Sequence, residues 1–284
     1  MKNILSIDWE DWFHVCEAEH VYPRSQWDGL PSILDEATDR VLDLLDRKGA
    51  RCTFFMLGYC AERHPELVAR IAREGHEIGY HSYGHDLVYQ TRPPAFAEDL
   101  RHGRRLLQEL SGQTVAGFRA PQWSLNHKAE WAVDQLVKAG FAYDSSRAPL
   151  PIVGRSSFPE TVHALRAGQD GGRLLELPPL VLKSPFCNLP AGGGWGLRTW
   201  PQSAIIGKAG RLNALGSPAT FFFHPADFVG RRKDSRLPWR KRFVLHFGLR
   251  GIERIWETLF DCLQLTSAAE ALAELGLERE KVTA

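Results

Sequence analysis

The sequence predicts an α/β fold in which parallel strands form a sheet or barrel with helices on the outside. Over about the first 145 residues, short apolar runs typical of buried strands alternate with amphipathic helical segments. Unusual polar clusters follow several of the apolar runs, where the strands end. Ligand sites in such folds form at the carboxyl ends of the strands. We therefore expect the functional residues to lie together at one edge.

The first half contains clear signals for helix ends. Ser32 caps the first helix, which Gly49 ends, and Pro65 opens the second. Asn126 caps the fourth helix, which ends at Gly140. The expected strands lie at 3–7, 52–57, 77–80, 114–118 and 141–143, and the expected helices lie at 32–49, 65–74, 94–110 and 126–140.

The second half is less regular until an apolar strand at 219–223. The glycine run Gly192-Gly193-Gly194 predicts a loop without phosphate-cradling spacing. The basic segment Arg231 to Arg242 is most simply a solvated loop. Two amphipathic helices, about 251–263 and 267–275, close the chain. We expect one domain over residues 1–284, with a C-terminal helical extension at about 230–284.

Composition and charge are those of an ordinary globular protein, with 44% apolar and 24% charged residues. A net charge of +1 gives no reason to expect nucleic acid or an anionic membrane surface as a partner. The five scattered cysteines contain no CxxC pair, which is typical of reduced thiols. The N-terminus matches neither a signal peptide nor a membrane span. We expect a cytoplasmic location, and the oligomeric state stays open.

Two histidines lie four residues apart in the stretch from Glu77 to His85. The spacing lets His81 and His85 reach one divalent ion. The glycines in this stretch favour a strand that leads into a loop. A catalytic metal site needs a third ligand and an open position. The pair alone is weak evidence, because such motifs also arise by chance.

An acidic cluster, Asp8-Trp9-Glu10-Asp11, follows the first strand. Charges are unfavourable inside a buried strand, so the cluster should lie at its exposed end. If the pleat continues, Asp8 and Glu10 share one face and Trp9 points away. Glu10 or Asp11 could complete a two-histidine, one-carboxylate metal site, with Asp8 as a base. Asp8 is also compatible with a helix N-cap.

Other strand ends carry further candidates. Arg119 could orient Asp8 or form an ordinary ion pair. His224 follows three phenylalanines; it could protonate a leaving amine, or be a satisfied core or turn histidine. Asp144 begins an Asp-Ser-Ser turn and is, with Trp123, a candidate substrate-binding residue. Trp123 either stacks on a sugar ring or lines the barrel mouth.

The motif set resembles the polysaccharide deacetylases of carbohydrate esterase family 4, which share the nodulation-factor deacetylase homology domain. The motif set is most similar to an exopolysaccharide-linked branch with a C-terminal extension. The resemblance covers about residues 5–275. The combination of these motifs is specific for the family, whereas the histidine pair alone is not. The resemblance implies a distorted (β/α) barrel with fewer than eight parallel strands. The motifs are SIDWED, HSYGH, FRAPQWS, FAYDSS, LELPP, AGGGWG and FFFHPADF.

The resemblance also implies a reaction and residue roles. The reaction is metal-dependent removal of an acetyl group from a sugar, usually an N-acetylated one, with zinc as the expected ion. His81 and His85 match the family's metal histidines. Asp8 matches the general base, and Arg119 matches the arginine that tethers it. His224 matches the histidine that acts as the acid.

Relatives surround this acid histidine with leucines and with an aspartate that corresponds to Asp144. Here Phe221 to Phe223 would supply the apolar wall. The chain departs from the family in its first motif, because Trp9 stands where the common form has a second, metal-binding aspartate. Pleat geometry favours Glu10 as the replacement ligand, and Asp11 is the other option.

Several functional questions remain open at this level. The sugar could belong to a glycan, a lipid-linked precursor or a nucleotide-linked precursor. The basic segment Arg231 to Arg242 would suit a diphosphate. The alternatives are a small-molecule amidohydrolase of the allantoinase type on the same scaffold and a non-catalytic glycan-binding relative.

Overall fold

The computed structural model describes residues 1–168, 172–230 and 234–277. Residues 231–233 of the basic segment lie outside the described residues. The strands are β1 (Asn3–Trp9), β2 (Thr53–Met56), β3 (Glu77–Tyr80), β4 (Gly117–Phe118), β5 (Tyr143–Asp144), β6 (His163–Arg166), β7 (Arg173–Glu176), β8 (Val181–Lys183), β9 (Asn188–Pro190), β10 (Thr220–Phe223) and β11 (Leu265–Thr266).

Helices connect the strands and follow the last of them. The α-helices are α1 (Leu34–Lys48), α2 (Gly58–Arg63), α3 (Pro65–Arg73), α4 (Pro93–Ser111), α5 (Ala132–Lys138), α6 (Gly194–Thr199), α7 (Gln202–Ala214), α8 (Ala226–Val229), α9 (Trp239–His246), α10 (Ile252–Cys262) and α11 (Ala268–Glu274). Short 3-10 turns lie at Arg24–Gly29, Val88–Gln90, Pro121–Trp123 and Leu249–Gly251.

Within the described residues, nine strands form one curled, mostly parallel sheet. Its path runs β10-β1-β2-β3-β4-β5-β7-β6, and β11 pairs with the start of β1. The strands from β10 to β7 along this path are parallel, whereas β6 is antiparallel to β7. Strands β8 and β9 form a separate hairpin. This is the α/β architecture of a distorted, incomplete barrel that the sequence predicted.

Strand register brings the polar clusters to one edge of the sheet. Neighbouring parallel strands end at nearly the same level because residues at or within two positions of their ends are paired. These pairs are Ile7 with Phe223, Trp9 with Met56, Met56 with Tyr80, Tyr80 with Phe118, Phe118 with Asp144, and Asp144 with Glu176. Each polar cluster includes or follows one of these residues, so the carboxyl edge collects them.

The C-terminal part of the chain packs on the N-terminal strand. Strands β10 and β11 both pair with β1. Trp256 of α10 is fully buried, with its ring centroid 4.9 Å from that of Phe223. A buried aromatic of this size makes a large apolar contact. The expected C-terminal helices are therefore in contact with the central sheet.

The helices expected from apolar periodicity are present, but five helices of the described residues were not expected: α2, α6, α7, α8 and α9. Helix α9 forms in the basic segment, where a solvated loop was expected. Helix α2 was not expected, because its six residues are too few to show a period. Helix α5 begins at Ala132 and not at Asn126, because Asn126 Oδ1 accepts the Lys128 N–H and closes a turn first. The strand expected at 114–118 is reduced to Gly117–Phe118.

Candidate active site

The end of β1 separates two acids from the tryptophan between them. Trp9 is fully buried, and its Nε1–H donates to Thr38 Oγ1 of α1 at 3.0 Å. Asp8 and Glu10 are each 5% exposed and contact the residues of the other strand ends. This is the alternation that the pleat predicts. Trp9 anchors the strand to α1, while the carboxylates face the site.

The histidine pair lies in a strained loop after β3. Ser82 has φ 66° and His85 has φ 61°, a left-handed conformation that is uncommon outside glycine. Ser82 Oγ accepts the backbone N–H of His85 at 3.1 Å and closes the loop. The ring centroids of His81 and His85 are 5.4 Å apart. Strain of this kind is typical of functional sites, where the surrounding structure maintains it.

Glu10, His81 and His85 converge, with one ligand atom from each lying within 4.8 Å of the others. Glu10 Oε2 lies 2.8 Å from His85 Nε2 and 3.9 Å from His81 Nε2. This oxygen is buried yet completes no well-aligned hydrogen bond, which is unfavourable without a compensating cation. Two imidazole nitrogens and one carboxylate oxygen suit a divalent ion such as zinc. The three residues therefore fit a metal ion.

The second nitrogen of each histidine has its own partner. His81 Nδ1 lies 2.7 Å from the Arg119 carbonyl oxygen, so its N–H donates there and Nε2 faces Glu10. His85 Nδ1 lies 3.4 Å from Cys16 Sγ. Burial lowers the pKa of His81 to about 4, which keeps this ring in the neutral form that binds metals. Sequence reasoning did not single out Cys16.

Asp11 does not join this group, contrary to one of the two options for the third ligand. Its Oδ1 accepts the backbone N–H groups of Trp12 and Ile33, each at 3.1 Å, and so joins the end of β1 to the start of α1. Burial acts to raise the pKa of both acids, but the facing histidine rings lower that of Glu10 below its ordinary value. The structure places Glu10, and not Asp11, beside the histidines.

Arg119 forms a buried ion pair with Asp8. Its Nη1 donates to Asp8 Oδ1 at 2.6 Å, and its guanidinium lies 4.3 Å from the ring centroid of Phe55. Nε and Nη2 donate to the carbonyl oxygen and Oγ of Ser145 at 3.2 and 2.9 Å. Burial acts to raise the pKa of Asp8, but Arg119 and nearby histidines lower it below its ordinary value. Asp8 is therefore an ionised carboxylate.

His224 is held between the site and a second carboxylate. Its Nε2 lies 3.9 Å from Asp8 Oδ2 and 3.8 Å from Glu10 Oε1. Its Nδ1 lies 3.7 Å from Asp227 Oδ2, which also accepts the backbone N–H of His224 at 3.2 Å. The ring of Phe222 stands edge-to-face against it at 6.0 Å. One nitrogen of this histidine faces the site, and the other faces a carboxylate.

Asp227 was not among the residues expected in the site. It lies in α8, its side chain is 2% exposed, and its Oδ1 is 3.4 Å from Arg198 Nη1. The signal in the sequence is its spacing, since residues three apart share a face when the chain enters a helix. This buried pair supports His224 from the side away from Asp8.

Asp144 lies elsewhere than expected. It is fully buried, and its Oδ1 accepts the hydroxyl of Ser146. Ser146 Oγ in turn accepts the backbone N–H of Ala120 at 2.7 Å. A fully buried carboxylate gives a substrate no access, and Asp227 stands beside His224 instead. Asp144 therefore supports, through Ser146, the loop that holds Arg119. The Asp-Ser-Ser cluster does more than form a turn.

Trp123 packs beside the candidate site. It is half-buried, and its ring packs edge-to-face on Phe222 at 4.9 Å. Gln122 and Trp123 both have φ 51°, a second pair of left-handed residues at this edge. Stacking of Trp123 on a sugar remains a prediction.

Comparison with known proteins relates part of the chain to a protein family. Residues 26–141, which include both histidines and Arg119, match the family model for polysaccharide deacetylase. This part of the chain is similar to the polysaccharide deacetylases. Residues 145–273 match a model for a domain of unknown function, DUF3473.

Two relatives and one solved structure illustrate the likeness. The chain is 34% identical over 101 residues to a peptidoglycan-N-acetylglucosamine deacetylase of Bacillus cereus, which covers 35% of this chain and 37% of the relative. It is 29% identical over 209 residues to a peptidoglycan deacetylase of Helicobacter pylori, which covers 70% of this chain and 64% of the relative. Both matches span less than two thirds of the relative's length.

The fold is similar to the crystal structure of a Mycobacterium smegmatis protein assigned to the polysaccharide deacetylases. The TM-score is 0.62 at 21% identity, with 99% of this chain and 92% of that chain covered. At this identity the likeness shows the shared fold, and the chemistry has to be argued from the site.

Proposed function

We propose that the protein is a metal-dependent carbohydrate N-deacetylase that hydrolyses the acetamido group of an N-acetylated sugar. The observation that carries this proposal is the convergence of three ligand groups with a paired carboxylate and an oriented histidine at one strand edge. The N-acetylglucosamine deacetylase named among the relatives supports the choice of reaction.

Glu10, His81 and His85 would hold the divalent ion, which we propose to be zinc. When bound, the ion supplies Lewis acidity for the acetyl carbonyl and for water. His81 is already oriented for this role, because its other nitrogen donates to a backbone carbonyl.

Asp8 and His224 carry out the proton transfers. Asp8 is kept ionised by Arg119, so it can accept the proton of the attacking water. His224 donates a proton to the sugar nitrogen as the carbon–nitrogen bond breaks, so that acetate and an amine leave. Asp227 faces the other nitrogen of this ring and stabilises its protonated form.

We propose a sugar precursor as the substrate, lipid-linked or nucleotide-linked, or a glycan under assembly, in cytoplasmic exopolysaccharide biosynthesis. The exposed basic residues Arg236, Arg240 and Arg242 support a diphosphate-bearing substrate. Trp123 packs beside the candidate site, where its ring can stack on a sugar.

The reaction is tested by acetate release from N-acetylated sugars and oligosaccharides, before and after metal removal. We expect activity to disappear with a chelator and to return with zinc. His81→Ala, Asp8→Asn and His224→Ala should each lower kcat by about 10²- to 10⁴-fold. Full activity in His81→Ala contradicts the metal mechanism, and ring opening of a ureide without acetate release would favour the amidohydrolase alternative.

A matched pair of variants tests the third ligand. Glu10→Gln and Asp11→Asn each replace one carboxylate by an amide of the same shape. We expect Glu10→Gln to weaken zinc binding by about a hundredfold in a competition titration, because it loses a charged ligand. Asp11→Asn should retain wild-type affinity, since its Oδ1 can still accept both backbone N–H groups. The reverse result would make Asp11 the ligand.

A further inference from the structure

Helix α9 presents an apolar patch to solvent. Trp239 is 71% exposed, and Phe243, Val244 and Phe247 are 45%, 47% and 44% exposed. The rings of Phe243 and Phe247 stack with centroids 4.8 Å apart. The helix contains no buried residue. Contiguous exposed aromatic and aliphatic surface of this kind marks a site of interaction.

Positive charge flanks this patch. At about 100° per residue, Trp239 and Phe243 share one face of the helix, while Arg240 and Arg242 lie on its two sides. Both arginines are exposed. Between residues 235 and 252 the sequence has five Lys or Arg and no Asp or Glu. Arg236 pairs with Asp234 and Lys241 with Glu17, so Arg240 and Arg242 supply the positive charge beside the patch. We call the patch formed by Trp239, Phe243, Val244 and Phe247 the aromatic band. Arginine side chains flank it.

The opposite face of α9 is attached beside the candidate active site. Lys241, on that face, donates to the carbonyl oxygen of Cys16. Cys16 Sγ in turn lies 3.4 Å from Nδ1 of the proposed metal ligand His85. Arg198 Nη2 donates to the carbonyl oxygen of Val244 at 2.7 Å. These contacts hold the helix in place and leave its aromatic face turned outward.

We propose that α9 docks the protein on the surface of an anionic phospholipid bilayer. Tryptophan and phenylalanine partition into the interfacial layer, and flanking arginines bind lipid phosphates while their stems remain in apolar surroundings. The charge complementarity specifies an anionic membrane. A partner protein is disfavoured by size, because α9 has eight residues, whereas a stable protein interface takes about 20–30 residues a side.

Docking would place the candidate site next to the bilayer, because α9 reaches His85 through Lys241 and Cys16. A lipid-linked sugar would then be presented to the site from the surface; this consequence rests on the proposed deacetylase function. The docking itself does not. No residue of the aromatic band belongs to the proposed catalytic, metal-binding or substrate-binding set.

The test is co-sedimentation of the full-length protein with vesicles of phosphatidylcholine alone or of phosphatidylcholine mixed with phosphatidylglycerol. We expect binding to the anionic vesicles that weakens with salt. The double variant Trp239→Ser, Phe243→Ser should lose binding by at least about tenfold. Arg240→Gln with Arg242→Gln should lower binding to the anionic vesicles by about tenfold or more.

Matched controls are Leu215→Ser and Phe186→Ser, which change exposed apolar residues outside α9 (73% and 96% exposed). Both should bind vesicles like the wild type. Equal loss in these controls, absence of binding to anionic vesicles, or self-association that Trp239→Ser, Phe243→Ser abolishes would each overturn the proposal. Acetate release from a soluble sugar should be unchanged in the double variant Trp239→Ser, Phe243→Ser, so failure of docking and failure of the proposed chemistry give different results.

Discussion

The carboxylate partner of His224 is Asp227, three residues further along the chain, and not Asp144 at the end of β5. Asp227 is buried, faces Nδ1 of the histidine and pairs with Arg198. A histidine needs this kind of partner to present the other nitrogen to a substrate in the protonated form. The acid expected for the task is used instead to hold Ser146.

Asp227→Asn tests this positioning role. The amide retains an oxygen for the backbone N–H of His224 but removes the charge that stabilises the protonated ring. We expect kcat to fall by about tenfold or more with KM unchanged. A general loss of folding would instead lower the melting temperature and the zinc affinity, so both are measured alongside. An unchanged kcat contradicts the role.

The carboxyl groups of Asp144 and Glu176 are buried together where β5 and β7 end side by side. Glu176 Oε1 accepts the backbone N–H groups of Ser146 and Arg147 at 3.1 and 2.9 Å. Glu176 Oε2 and Asp144 Oδ2 are both buried without a hydrogen-bond partner among the described residues. Burial, and then the charge of Asp144, raise the pKa of Glu176 well above its ordinary value. A single proton shared between these acids satisfies both oxygens.

Glu176→Gln is predicted to change how stability depends on pH. Folded Glu176 keeps its proton where the unfolded side chain, with an ordinary pKa of 4.5, has lost it. Wild-type stability therefore falls as pH rises from 4.5 toward the folded pKa, by up to about 1.4 kcal/mol per pH unit. Glutamine removes this titration and still donates to Asp144. Melting temperatures should show the variant gaining on the wild type between about pH 5 and pH 8.

Glu160→Gln is the control for this series. Its carboxylate pairs with Lys208 and Lys183, and these partners lower its pKa although burial opposes them. Its replacement should therefore lower stability without any gain as pH rises. A pH-independent difference for Glu176→Gln would show that Glu176 is ionised in the folded protein.

On the scale of the molecule, the two family matches meet between residues 141 and 145, but the sheet crosses this boundary. Strand β1 pairs with β10 and β11 from the second half, and β5 of the first half pairs with β7. The candidate site crosses it as well, because His224 faces Asp8. We therefore propose that the chain folds as one domain.

This proposal predicts that fragments 1–144 and 145–284 do not fold separately. Each would expose unpaired strand edges and apolar surface that the other covers. We expect both fragments to be insoluble or to lack a cooperative thermal transition, whereas the full chain unfolds in a single transition by circular dichroism and fluorescence. A cooperative transition in either fragment would divide the chain into two domains.

Local signals in the sequence determined the fold class and most of the helices. Apolar periodicity and end signals depend on neighbouring residues, so they can be interpreted without tertiary contacts. The expectations that Trp9 points away from Asp8 and Glu10, and that polar clusters collect at one edge, follow from the pleat and from parallel register. Family motifs added expected roles for His81, His85, Arg119 and His224.

Tertiary structure decided what depends on residues that are distant in the chain. It placed Glu10 and not Asp11 beside the histidines, brought Cys16 to His85, and replaced Asp144 by Asp227 at His224. It also left the aromatic side chains of α9 exposed on a helix, in a segment that the sequence predicted as a loop. Spacing along a chain limits which side chains can meet, but packing between distant segments determines which of them do.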